Sequence, residues 1–141
     1  MKTRTTTIFF LLVLLASMLL SACGSSNRQI KDDELIAVTA YSAPAAEHIL
    51  TGMANLDYAT FSADFSDQMK AGITAEKFEV LAKDLNGKLG AYVSHEVSKA
   101  EETEGGYISV SYKTQFEKGS VTMRLVHESA DPHLVSGLWF Q

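Results

Sequence analysis

The chain has a single cysteine, Cys23, among 141 residues, so no internal disulfide can form and the fold must be held by its core. Proline is nearly as scarce: Pro44 and Pro132 are the only two, which leaves long stretches free to run as unbroken helix or strand. Basic residues are outnumbered, 12 Lys and Arg against 17 Asp and Glu, and none of them form a cluster. Nucleic-acid binding needs concentrated positive charge, so that class of partner is excluded. Gly-rich phosphate loops, GxSxG elbows and HExxH helices are all missing, and with them the short motifs of nucleotide, acyl-transfer and zinc-protease chemistry. Long apolar runs are limited to Ile8 through Leu20, 13 residues without charge, glycine or proline. That is short of the ~20 residues a spanning helix requires.

Lys2 and Arg4 precede this run and polar residues follow it, the arrangement of an export signal over residues 1–22. At its foot stand Leu20, Ser21, Ala22 and Cys23. The order of branched aliphatic, small, small and cysteine resembles the lipobox of bacterial lipoproteins. The resemblance implies a diacylglycerol on the Cys23 thiol, further acyl chains such as palmitate, and cleavage that leaves Cys23 first. Two or more chains make a stable bilayer anchor where one is marginal. An acylated thiol is no nucleophile. In the family pattern an aspartate after the cysteine signals inner-membrane retention; Gly24 stands there, so the expected location is the cell envelope, on the outer membrane if the organism has one.

Loss of residues 1–22 removes Lys2 and Arg4 and leaves 10 basic against 17 acidic residues. Residues 23–34, beginning "CGSSNRQ", offer little to bury and read as a flexible tether, with a single domain over 35–141. A helix is expected from about Leu35 through Pro44, with Ala46, Ile49, Leu50, Met53 and Leu56 as its apolar stripe. After a turn at 55–57, a second helix should carry Phe61, Phe65 and Met69. A third begins at the N-cap candidate Thr74, presents Phe78, Leu81, Ala82, Leu85 and Leu89, and ends near Gly87 or Gly90. Beyond Gly90 the apolar period changes from 3.6 to 2. Four strands follow, with Lys118 and Gly119 turning the chain so that Phe116 faces Val121 and Tyr112 faces Leu125. Helices first and strands second predict an α+β domain: N-terminal helices packed on a curved, cone-like, four-stranded antiparallel sheet.

Four histidines are the candidates for chemistry. His48 lies on the polar side of the first helix and His133 in a turn, both read as solvated. His95 and His127 occupy apolar sides of their strands and in this register flank Val110. They read as hydrogen-bonded sheet-face residues, as polar contacts in a ligand pocket, or as weak catalytic candidates. Two strand spacings put their backbones ~10 Å apart, wide for one zinc, and the only third ligands in view are Glu47, Asp57 or Asp64 from the helices, so no metal and no cofactor is expected. The pocket reading groups Tyr58, Phe61, His95, Tyr112 and His127 around a small apolar ligand. Trp139 is ambiguous between core and open sheet face; on the open face it would form a docking patch with Val126 and Val135.

The stretches "ILTGMANLDYATFSADFSDQMKAGITAEKFEVLAKDLNGKLGAYVS", "VSYKTQFEKGSVTMRLV" and "VSGLWF" resemble a family of small secreted bacterial domains of uncharacterised function. That family is similar to the nuclear-transport-factor-two-like superfamily, over roughly residues 43 to 141. The resemblance implies helices folded against a strongly curved sheet. Enzymes of the superfamily, isomerases and cyclases, carry an acid or histidine at the cone floor, positions that His95 or His127 would take. Relatives without activity bind small molecules or dimerise. The expected function is a membrane-anchored, non-enzymatic module that binds a small ligand or an envelope protein, with a homodimer as one form. The alternative is an isomerase- or cyclase-like enzyme using a histidine.

Overall fold

Helix α1, Asp32–Asn55, is the longest element, and its buried positions Val38, Ser42, Ala45, Ala46, Ile49 and Met53 recur at the three-to-four spacing of one helix face. Asp32, Asp33 and Glu34 fill its first turn, where the helix dipole favours negative charge. Pro44 lies well inside it rather than in a first turn, so the helix continues through proline as expected but with one backbone donor missing. Leu56 closes α1 in the left-handed conformation, its N–H directed to the carbonyls of Gly52 and Met53. The computed structural model describes residues 27–141. The export signal over 1–22, Cys23 and Gly24 lie outside the described residues.

The expected second helix is two short ones, α2 (Tyr58–Phe61) and α3 (Asp67–Gly72). Asp57 caps α2 by accepting from the amides of Ala59 and Thr60, and Ser66 caps α3 by accepting from Met69. Between them the chain turns at Ser62–Asp64, and Phe65 then forms a parallel bridge to Val135, with Ser66 N–H on the Val135 carbonyl and Val135 N–H on Asp64. Helix α4 (Ala75–Leu89) follows the sequence expectation, with Phe78 and Ala82 buried and Gly90, at φ 77°, closing it.

Among the described residues the sheet has five antiparallel strands, not four, in the order β1 (Arg28–Gln29), β2 (Tyr92–Glu102), β3 (Ile108–Phe116), β4 (Gly119–His127) and β5 (Val135–Phe140). The extra strand comes from the segment expected to be tether: Arg28 pairs with Glu102 and Gln29 with Glu101, and Ile30 is buried with its amide on the Ala100 carbonyl. One isoleucine in a polar stretch is what the tether reading missed. Arg28 locks the corner by bonding both Glu34 and Glu102, at 2.6–2.9 Å. These two carboxylates push its guanidinium pKa further up.

The turn between β3 and β4 is Glu117–Lys118, so Phe116 pairs with Gly119, Thr114 with Val121, Tyr112 with Met123 and Val110 with Leu125. This register is two residues away from the expected one. An even slip leaves every side chain on the same face, so the buried set is unchanged. In β5, Leu138 and Phe140 pair with Leu125 and Met123 on the core side, while Trp139 pairs with Arg124 on the face the helices leave open. Register shifts interrupt β2 at 92–94 and 97–99, and β4–β5 at 126–127.

Candidate functional site

The two strand histidines do not meet. His127 pairs with Ile108 and His95 with Thr114, six residues apart on β3, or about 20 Å along the strand. The expectation that they flank Val110 fails on both sides: the β3–β4 pairing moves His127 two residues, to Ile108, and the bulged β2–β3 pairing puts His95 four residues the other way, at Thr114. Each belongs to a separate polar cluster.

His127 is wholly buried and both its ring nitrogens are engaged. Nδ1 lies 2.9 Å from the His133 carbonyl, which only accepts, so Nδ1 carries the proton. Nε2 then accepts from Ser42 Oγ at 2.9 Å, and Ser42 Oγ accepts in turn from Tyr112 Oη at 2.7 Å. Burial holds the His127 pKa below its ordinary value, against an opposing effect of the His133 carbonyl. Burial likewise pushes the Tyr112 hydroxyl up to about 12. Tyr41 closes the cluster, edge-on to His127 and stacked at 4.1 Å on His133. His133 is thus half-buried rather than solvated, its Nδ1 donating to the Glu128 carbonyl at 3.2 Å. A serine beside a histidine suggests a nucleophile and its base. Here both are sealed from solvent, and the Tyr112 hydroxyl, the Ser42 hydroxyl and both His127 nitrogens all have partners, so the relay ties α1 to the sheet. Ser42 was not among the residues singled out in the sequence. Its spacing after Val38 and before Ala45 and Ala46 is the signal that places it on the buried face of α1.

His95 stands at the rim. Tyr92 Oη lies 2.9 Å from Glu47 Oε2 and 2.7 Å from His95 Nδ1. Tyr92 has one proton, and an ionised carboxylate can only accept it, so His95 Nδ1–H donates to the Tyr92 oxygen. Thr51 donates to the other Glu47 oxygen at 3.1 Å. Burial and the Glu47 contact both push the Tyr92 hydroxyl well above its ordinary range. Thr114, opposite His95 in the sheet, is fully buried with Oγ1 unpartnered. This cluster keeps access to solvent, since the Glu47 side chain is half exposed. His48, on the same helix, is exposed and bonds Asp64 at 2.7 Å.

The residues expected to line a pocket form packed core instead. Phe61 and Tyr112 are fully enclosed, and Tyr58 spends its hydroxyl on the Ile73 carbonyl while its ring packs with Phe61 and Phe78. Phe61 touches Phe65 and Phe78 at ring separations of 4.9 and 4.5 Å. An open groove of about 340 Å³ lies elsewhere, between Gln29–Asp32, Leu35 and the Val97–Ala100 stretch of β2.

The open sheet face carries the docking candidates. Trp139 is 43% exposed, and the Arg124 guanidinium lies 4.4 Å from its ring centroid. Gly137 is the floor under that ring: a Cβ there would collide with Trp139 and press on Val126. Val126 shares this face, but Val135 does not; it is fully buried against the helices, because the register shift at 126–127 turns it inward. Arg124 Nε is buried without a partner. Among the described residues, no three His, Cys, Asp or Glu side chains are grouped to hold a metal, and no helix is long and apolar enough to cross a membrane.

Comparison with known families matches residues 46–130 to the family described as "Protein of unknown function (DUF3887)". No curated protein matches the chain.

Proposed function

Because the chain belongs to DUF3887, whose description assigns no activity, we propose a function from its own residues: a lipid-anchored envelope protein whose domain binds a partner through the open sheet face around Trp139. The observation that carries this reading is the Arg124 guanidinium stacked on a half-exposed Trp139 above Gly137. A rigid aromatic beside a cation is the composition of an interface anchor, and an exposed cation–π pair is worth only about 0.5–1 kcal/mol to the fold itself. The complementary partner presents an apolar side chain to Trp139 and a hydrogen-bond acceptor to Arg124. The filled core and the satisfied His127 relay favour binding over catalysis.

Anchoring rests on the Leu20–Cys23 lipobox, and the outer membrane is the proposed location where one exists. The same reading places the domain in the nuclear-transport-factor-two-like superfamily. Helices precede the sheet, and the register shifts in β2 and near 126–127 are bulges of the kind that bend a sheet into a cone. The test is copurification with the membrane-extracted full chain. An envelope protein retained by the native chain and by Val93→Ala, but lost with Trp139→Ala, supports the proposal. Equal recovery with all three overturns it.

The Glu47, Tyr92 and His95 cluster favours a second reading, an isomerase- or cyclase-like enzyme in which His95 Nε2 serves as the base. His127 has no free nitrogen for that role. Turnover of a substrate that survives His95→Gln would eliminate this reading.

A further inference from the structure

Strand β1 decides how far the body stands from a membrane. Among the described residues strand pairing begins with Arg28 and Glu102, and Arg28 also binds Glu34, so the chain is fixed to the body at residue 28. Only residues 24–27 separate it from Cys23, and five Cα steps span at most about 17 Å at full extension. A domain of this size has a radius of gyration of about 13 Å, so such a leash is shorter than the body it holds.

The attachment point is a corner of the sheet. Strand β1 is one edge and β5 the other, separated by four strand spacings, or about 19 Å. The hairpin Thr103–Tyr107 lies beside the attachment, with Tyr107 45% exposed, whereas Gln141 lies at the far edge and about 20 Å further down the strands. Tyrosine at such a position suits the headgroup layer. Charge does not supply the attraction: Asp32, Asp33, Glu34 and the Glu101–Glu104 stretch outnumber Arg28, Lys31 and Lys99 around this corner. The leash has to do the holding.

We infer that the domain rests on a lipid surface through the β1 edge and the Thr103–Tyr107 hairpin, and that the sheet order thereby turns β5 and Trp139 away from the bilayer toward a partner. This rests on the acylation of Cys23 proposed above. It adds an orientation: anchor and docking patch occupy opposite edges of one sheet.

The experiment uses the full chain extracted from membranes and reconstituted in phosphatidylcholine vesicles that carry a headgroup dye as energy acceptor. Glu104→Cys and Gln141→Cys each supply a thiol for the donor dye, because the sulfur of Cys23 is blocked when acylated. Intact mass is read first: an unmodified Cys23 removes the anchoring reading and this inference with it. With acylation present, energy transfer from position 104 should exceed that from 141. A spacer of about eight Gly and Ser residues after Gly24, adding roughly 28 Å of reach, should abolish the difference. Equal transfer from both positions of the acylated native-length chain overturns the orientation while leaving the anchor intact. A difference that persists with the spacer also overturns it, since adhesion and not the leash would then hold the body down.

Discussion

Ser42 Oγ sits 2.9 Å from His127 Nε2, on the buried face of a helix and a sheet strand 85 residues apart in sequence. It accepts from Tyr112 and donates to His127, so one small hydroxyl satisfies two buried groups. Ser42→Ala removes both partners at once while leaving the packing volume almost unchanged. Each buried group left unpaired costs about 1–3 kcal/mol, so Ser42→Ala, which orphans two, should destabilise the fold by roughly 2–6 kcal/mol. Tyr112→Phe leaves the Ser42–His127 bond in place and should cost less. Urea unfolding of both variants gives the comparison; equal and small effects would show that the relay carries no weight.

The same relay predicts an acid-sensitive fold. Burial lowers the folded pKa of His127 from the ordinary value of 6.5, so the unfolded chain binds this proton more readily than the folded one. The contribution of neutral His127 is therefore complete above about pH 6.5 and is lost as pH falls from there toward the depressed folded value. Unfolding free energy measured from pH 7.5 down to 5 should decline in the native chain. In His127→Gln the decline in this window should flatten, at the cost of lower stability throughout.

Gly52 and Leu56, one turn apart at the end of α1, should respond to substitution with opposite signs. A Cβ at Gly52 would lie 2.6 Å from Phe61 Cα, because α2 folds back against α1 at that point. Gly52→Ala must push the two helices apart, and overpacking of this kind costs about 1–3 kcal/mol. Leu56 holds φ at 56°, a conformation that costs an L-residue roughly 1–2 kcal/mol, while its side chain is 46% exposed. Leu56→Gly should therefore raise the thermal midpoint even though it removes a side chain.

The order of the helices and of strands β2–β5, and the core faces of α1, α4 and β3, were legible because periodicity survives errors of register. A slip of two in the β3–β4 hairpin kept Tyr112, Thr114 and Phe116 facing inward. The same slip misplaced His127 against β3, since cross-strand neighbours depend on the register itself and not on its parity. Strand β1 was illegible for a different reason: two residues cannot show a period, and only the buried Ile30 and the reach of Arg28 to Glu102 hold it. Ser42 and Tyr92 gain their roles from partners 85 and 45 residues away, His127 and Glu47, which no local pattern encodes.

Gly137 offers the most direct reading of the open face, because Trp139 is the chain's one tryptophan and its fluorescence reports that face alone. The ring lies over Gly137 with Arg124 against it, 4.4 Å from the centroid. Gly137→Ala places a methyl where the ring now packs, and the methyl also meets Val126 Cβ at 3.3 Å. The ring has to swing outward and lose its cation contact, which carries Trp139 from a partly covered site into water. A red shift of emission should follow, larger than that of Arg124→Met, which removes the charge but leaves the ring its seat. Stability should fall by about 1–3 kcal/mol in Gly137→Ala through overpacking and by less than about 1 kcal/mol in Arg124→Met. Unchanged emission in Gly137→Ala would mean that the ring does not rest on this glycine, and the preformed anchor on which partner docking was argued would be gone.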